Sequence, residues 1–336
     1  MNARAKTDWV GEVFAALRDC GEDVSIIYGR KPSPAQAEPR WFELPHDRFD
    51  GIGGFAALLR EQGFRVEALP ELRDDRFRVL RALRGLIAVL PTLGIRPRTW
   101  RKFDGSRTAT LLEPGERLAW RVLSAEQTQR VVAAARRAGV TVNTYLLFHL
   151  DAEVGRALAA PASPRRWMIP VNLRGAVTRQ SEPIPHMSFF TVDVGEGVSP
   201  TGLQAELTRL KQRAYHWGSW LALNSGRLIG RAGMRRDMRN REKKNHGWTG
   251  IFSNLGVWDV PGSDPWIFCP AISRVHPIGA GCITMNGRLA LAMQLHDALG
   301  TNLRTSNALL DAWQNACVQE LGGDLLGERI ALSATA

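Results

Sequence analysis

The constraint that bears hardest on how this chain folds is the abrupt change of character between residues 40 and 59. A short run with strand character, Arg40-Trp41-Phe42-Glu43-Leu44-Pro45, passes into the polar hexapeptide His46-Asp47-Arg48-Phe49-Asp50-Gly51. Ile52-Gly53-Gly54 and the apolar run Phe55-Ala56-Ala57-Leu58-Leu59 follow. The pattern reads strand, turn, helix. A turn of that kind holds a side chain rigidly and still lets it reach a cavity, which makes His46 a candidate functional residue. The plain alternative is a surface loop whose His, Asp and Arg are solvated. His, Asp and Gly at these offsets arise by accident in a chain of this size at roughly a few per cent.

The same glycines admit a second reading. Gly51-Ile52-Gly53-Gly54-Phe55-Ala56 fits the dinucleotide fingerprint G-x-G-x-x-G/A, with Glu67 as the ribose-binding acid of a following strand and an NAD(P)- or flavin-dependent oxidoreductase as the consequence. That turn needs a buried parallel strand running into its first glycine, whereas His46 to Asp50 are far too polar. The spacing from Gly51 to Glu67 is also short, and strand and helix do not go on alternating downstream.

A chain of 336 residues with 44% hydrophobic content can bury a sizeable core, and two packed subdomains are expected. No secretory leader pattern stands at Met1 and no apolar stretch is long enough to span a bilayer, so the expected compartment is the cytoplasm. Cys20, Cys269, Cys282 and Cys317 are scattered without ligand spacing, and the seven histidines form no metal-binding pattern. Reduced thiols and no catalytic metal are the expectation.

The net charge of +11 is local in origin. One basic stretch holds Arg227, Arg231, Arg235, Arg236, Arg239, Arg241, Lys243 and Lys244; a second runs from Arg73 through Arg76, Arg78, Arg81 and Arg84 and resumes at Arg96, Arg98, Arg101 and Lys102. Such stretches favour anionic partners: nucleic acid, an acidic membrane face, a phosphorylated cofactor or an acidic carrier protein. Without a zinc finger, an RNP-like aromatic motif or a helix-turn-helix, nucleic acid is the weak member of that set. The apolar segment Val79 to Leu90 carries arginines on one side. It suits a membrane interface, but a core helix edged by solvated arginines is the favoured reading.

Further along, Trp9 to Arg18 reads as an amphipathic helix, Asp23 to Tyr28 as a strand and Lys31 to Pro34 as a loop. Ser124 with Gln127 in capping-box position opens a helix that ends near Arg137, closed by Gly139. Another helix runs to about Leu158, and Pro161 to Pro164 marks a break between halves. Ile283-Thr284-Met285, the Asn286-Gly287 turn and Arg288 to Met293 form a strong hairpin signal.

These residues resemble the CoA-dependent acyltransferase superfamily, the group of chloramphenicol acetyltransferase, peptide-synthetase condensation domains, plant acyltransferases and wax ester synthases. The hexapeptide resembles its His-x-x-x-Asp-Gly signature, and Leu123 to Leu158 resembles the family's helix, Gly-Val-Thr and buried helix. Pro170-Val171-Asn172-Leu173-Arg174 resembles its Pro-Val-x-x-Arg strand end, Ser253-Asn254 its Ser-Asn turn near the substrate tunnel, and the hairpin is similarly placed. Two departures stand out. Only 45 residues precede His46, fewer than family members usually carry, so the N-terminal half is expected to be pared down or completed by another chain. Pro45 replaces the first His of the doubled form, as is the rule in the plant branch, whose Asp-Phe-Gly-Trp-Gly motif is reduced to a faint echo at Asn254 to Trp258.

The resemblance implies an α/β fold of two chloramphenicol-acetyltransferase-like subdomains, residues 1–160 and 161–336, with mixed sheets flanked by helices. It implies acyl transfer from a CoA or carrier-protein thioester to a hydroxyl or amine of a small-molecule acceptor, with no bound cofactor. His46 is the implied general base, since the unperturbed pKa of an imidazole lies near working pH. Asp50 is implied to point away and pair with Arg174, tying the halves together. Gly51, Gly53 and Gly54 are either turn residues tolerating positive φ or a place for a pantetheine arm to pass. N–H groups of the helix beginning near Gly53, Ser253 and Asn254 are candidates for holding an oxyanion, and His186 for lining the tunnel. Ser253 and Asn254 could equally cap a turn. The opposing possibility is a scaffold of this fold that binds thioesters or carrier proteins without turnover.

Overall fold

A computed structural model describes residues 9–31, 38–66, 69–72, 75–93, 100–107, 112–160, 163, 165–177, 187–243 and 247–319. In chain order the elements are α1 (Trp9–Arg18), β1 (Ser25–Arg30), β2 (Arg40–Pro45), α2 (Gly51–Glu61), α3 (Val79–Leu93), α4 (Pro114–Arg117), β3 (Leu118–Val122), α5 (Ala125–Arg137) and α6 (Val142–Ala157). Then come β4 (Arg165–Asn172), β5 (Met187–Val194), α7 (Pro200–Gln212), α8 (Tyr215–Asn224), α9 (Gly226–Lys243), β6 (Gly250–Trp258), β7 (Trp266–Cys269), β8 (Ile278–Met285), β9 (Arg288–Leu295) and α10 (Leu303–Val318).

Local rules explain several of these elements directly. Asn286 and Gly287 both take positive φ, 47° and 76°, as a two-residue hairpin turn of matching twist requires, and Met285 faces Arg288 across it. The Asn286 side chain also donates to the Val260 and Ser263 carbonyls and accepts from the Val260 N–H, so the turn anchors the loop after β6. Ser124 and Gln127 form the reciprocal capping box at the start of α5, and Gly139 follows it at φ +67°. Helix α6 is apolar on most sides and is buried accordingly, with Leu146, Leu147, Leu150 and Val154 fully covered.

The strands form two sheets. The larger has order β3-β9-β8-β6-β4-β5 and is mixed, with β4–β6 and β6–β8 parallel and its other pairs antiparallel. The smaller, β2-β1-β7, is antiparallel throughout. Strands cross between the two sides of residue 160, since β3 lies at the edge of the larger sheet and β7 completes the smaller one. Helices α6 and α10 cover the larger sheet, and the fully buried Trp313 of α10 donates its indole N–H to the Leu146 carbonyl. The two sheets touch where β7 crosses β8. A Cβ on Gly281 would stand 2.0 Å from the Phe268 carbonyl oxygen, so only glycine lets these backbones meet.

One expectation is overturned here. Helix α3 is not a core helix: Val79, Leu80, Leu83, Ile87 and Leu90 are between 46% and 76% exposed. The body is contacted instead through Ala82, Gly85 and Val89, whose small side chains bring α3 close to α8 and turn the large apolar ones outward. Of the basic stretches, Arg231 pairs with Glu12, Arg235 with Asp19 and Arg81 with Asp75, while Arg76, Arg78, Arg84, Arg227, Arg236 and Arg239 are exposed. His186, His246, Glu67, Arg73, Arg96, Arg98, Lys244, the Pro32 to Pro34 loop, Pro161 and Pro164 lie outside the described residues, as do the side chains of Arg241 and Lys243. Among the described residues no helix is long and apolar enough to cross a membrane.

Candidate active site

Strand β2 ends at Pro45, whose carbonyl accepts the N–H groups of both Arg48 and Phe49, so the chain turns tightly through the hexapeptide. The His46 N–H is taken by the Val24 carbonyl at 3.1 Å, which anchors the turn to the segment before β1. His46 Nδ1 lies 2.9 Å from the Phe49 carbonyl oxygen. A carbonyl can only accept, so Nδ1 carries the proton and the lone pair of the neutral ring sits on Nε2. The imidazole is buried, and loss of water lowers its pKa to about 4 against weaker opposing contributions from the Phe49 carbonyl and Asp47. The ring is therefore neutral throughout the ordinary working range.

His46 lines a cavity of about 520 Å³ bounded by α1, α3, α8, the start of α9, and strands β4 to β7. Its wall is mostly apolar: Val10, Leu17, Met168, Phe189, Ile251 and Phe268 contribute to it. Ser253 and His276 are among its few polar side chains. Helix α1 covers the histidine closely. Phe14 stacks on the imidazole at 3.8 Å between ring centroids, and Arg18 grips Asp47 with hydrogen bonds of 2.9 and 2.5 Å.

Asp50 faces away from the cavity. It is the N-cap of α2: Oδ1 accepts the Gly53 N–H at 2.8 Å, while Oδ2 accepts from Arg174 at 2.5 Å. Both side chains are almost wholly buried, at 5% and 1% exposed. Burial raises the Asp50 pKa, opposed by the Arg174 guanidinium and the N–H groups of Gly53 and Ile52. Arg174 is itself positioned by Asn172, whose Oδ1 accepts both its N–H and a guanidinium proton, while the Arg174 carbonyl accepts the Leu72 N–H. The Asp50 carboxylate thus joins the hexapeptide to the end of β4.

Three expectations change in detail. Helix α2 begins at Gly51, two residues early, because Asp50 caps it. The N–H groups at its start therefore serve that carboxylate and are not held ready for an oxyanion. Gly51, Gly53 and Gly54 do not take positive φ. Their smallness serves packing: a Cβ on Gly51 would meet Leu255 at 2.8 Å, and one on Gly54 would meet Leu44 at 2.9 Å and the Tyr28 hydroxyl at 3.0 Å. Asn254 Oδ1 accepts the Gly256 N–H at the irregularity in β6, so its side chain is used locally, whereas the adjacent Ser253 faces the cavity.

The structure also brings in residues that no sequence signal marked. Phe14 belongs to a helix legible from its periodicity, but nothing in that periodicity tells what the helix covers. His276 reaches the cavity wall and stacks on Trp248 at 4.6 Å. Among the described residues, no group of three or more His, Cys, Asp or Glu could hold a metal ion.

No family model matches the sequence, and no curated protein matches it. Solved structures do match. A trichothecene 15-O-acetyltransferase from Fusarium sporotrichioides superposes with a TM-score of 0.56 at 10% identity, over 94% of this chain and 76% of its own. The cyclization-docking bidomain of EpoB, a peptide synthetase from Sorangium cellulosum, gives 0.53 at 12% identity, over 82% of this chain and 59% of its own. A condensation domain mediating chain release from the enacyloxin polyketide synthase gives 0.51 at 13% identity, over 84% and 58%. The chain thus spans somewhat under three fifths of these two synthase structures.

Proposed function

On a chain that carries the fold shared by condensation domains and an O-acetyltransferase, we propose an acyltransferase whose general base is His46. The observation that carries this reading is the fixed tautomer: a neutral imidazole, tied at Nδ1 to the Phe49 carbonyl, faces an apolar cavity. An acceptor hydroxyl or amine gives its proton to Nε2 as its heteroatom attacks the thioester carbonyl. The tetrahedral adduct then collapses, the C–S bond breaks, and the imidazolium returns the proton to the departing thiolate. The acyl chain occupies the apolar cavity, and Ser253, whose hydroxyl lines it, is suited to donate to the oxyanion. Asp50 and Arg174 act as positioning residues. The donor is an acyl-CoA or an acidic acyl or peptidyl carrier protein, and the exposed arginines suit the phosphates or acidic surface of either.

Phe14 favours a second reading, because its ring covers one face of the imidazole. A scaffold that binds thioesters or carrier proteins without turnover would keep such a cover permanently. The test incubates wild type and His46→Ala with acyl-CoA and acyl-carrier thioesters plus pooled alcohols and amines, read by intact mass. Transfer by the wild type that vanishes in the variant is expected. Undiminished thioester binding by both proteins, with transfer by neither, would establish the scaffold instead.

A further inference from the structure

Helix α3 is held to the body by an unusually close crossing with α8. A Cβ on Gly85 would lie 2.2 Å from the Ala214 carbonyl oxygen, and one on Gly218 would lie 2.2 Å from the Gly85 backbone. That contact fixes which side of α3 faces inward. On the opposite side Leu80, Leu83, Ile87 and Leu90 recur at intervals of three and four, forming a single apolar stripe directed at solvent. A contiguous apolar stripe left exposed on a helix calls for a partner surface.

The stripe continues into the cavity. Leu90 and Ile229 both line it and are 56% and 58% exposed, so the cavity opens between α3 and the start of α9. Leu228, beside that opening, is 80% exposed. Cations border the apolar surface. Arg78 and Arg84 flank the stripe and share a groove with Arg213, while Arg227 and Arg236 are exposed on α9.

We propose that this face docks the protein on an anionic lipid bilayer, with α3 lying in the headgroup region and the cavity mouth turned toward the acyl chains. A bilayer surface offers both complements at once: apolar depth for the leucines and negative headgroups for the arginines around them. An apolar molecule then passes between bilayer and cavity without crossing water. The inference rests on surface and cavity geometry and does not depend on acyl transfer.

Co-sedimentation of the full chain with vesicles tests it, using phosphatidylcholine alone and phosphatidylcholine with phosphatidylglycerol. The wild type is expected to sediment with the anionic vesicles. Leu83→Glu/Ile87→Glu and Arg84→Glu/Arg227→Glu should each weaken binding about tenfold or more. Val132→Glu on α5, and His46→Ala, should bind as the wild type does. All substituted positions but His46 are exposed, and circular dichroism verifies that each variant folds. Absence of wild-type binding to anionic vesicles overturns the proposal. So does loss of binding in the arginine variant alone, which would reduce the effect to diffuse charge adsorption. Self-association abolished by Leu83→Glu/Ile87→Glu, without vesicle binding, would assign the face to a second copy and also overturn it.

Discussion

Removing the Arg174 guanidinium tests whether the buried Asp50–Arg174 pair holds the hexapeptide in place. In the native chain Asp50 Oδ2 has Arg174 at 2.5 Å, and the two side chains are 5% and 1% exposed. Arg174→Ala leaves a buried carboxylate supported only by backbone N–H groups, and it empties the space of a large, fully buried side chain. Breaking one side of such a pair costs about 3–5 kcal/mol. An unfolding entropy of ~2.1 cal/mol/K per residue gives roughly 0.7 kcal/mol/K for a chain this long, so Tm should fall by about 4–7 °C. Calorimetry of Arg174→Ala, Asp50→Asn and the double variant closes a cycle. The coupling should exceed about 2 kcal/mol, because the second substitution removes the charge the first one stranded. Asp50→Asn alone should keep most of the α2 cap, since an amide oxygen can still accept the Gly53 N–H. Additivity within about 0.5 kcal/mol would refute the reasoning, for it would mean the two groups do not depend on each other.

Two further outcomes are expected. His46 titrates near 4 when folded against an ordinary 6.5. The folded chain therefore binds fewer protons between those values, and stability should fall by ~3 kcal/mol as pH drops from about 6.5 to 4, at 1.36 kcal/mol per pH unit. Histidine NMR titration and denaturation of wild type against His46→Gln measure it, and a folded pKa near 6.5 would contradict the burial argument. Gly281→Ala should destabilise by about 3 kcal/mol in urea denaturation, because the new methyl meets the Phe268 backbone carbonyl at 2.0 Å and a backbone cannot rotate aside. A change under about 0.5 kcal/mol would show that β7 and β8 separate freely.

What was legible in the sequence was set by short-range rules. The Asn286-Gly287 hairpin, the Ser124 capping box and helix α1 each follow from residues within a few positions of one another. The strand before His46 and the helix after it were readable for the same reason. The sequence places the start of that helix two residues late, near Gly53, because Asp50 serves both as salt-bridge partner and as N-cap. The Asp50–Arg174 contact was anticipated through a family likeness, since nothing in either neighbourhood specifies a partner 124 positions away. Phe14 over His46 and the pairing of β7 with β1 had no local signature at all: such contacts are decided by tertiary packing. The outward direction of the α3 stripe is not legible, because an apolar stripe reads the same whichever way it points. Only the small residues on the other side, Ala82 and Gly85, carry that information, and they do so through α8.

The place of β7 has a consequence for the order in which this protein can take shape. Ile27 faces Cys269 and Tyr28 faces Phe268 across the smaller sheet, about 240 residues apart along the chain. A ribosome adding 5–20 residues per second needs roughly ten to fifty seconds to travel that distance. Throughout that interval β1 and β2 lack β7, the third strand of their sheet, although α2 can already pack on Ile26 and Tyr28, and a two-stranded hairpin is marginal in water. The smaller sheet, at the end of whose strand β2 His46 stands, is therefore completed only once β7 (Trp266–Cys269) has been made. Until β7 is available, β1 keeps one edge unpaired, and that edge is where chaperone cover would act during synthesis.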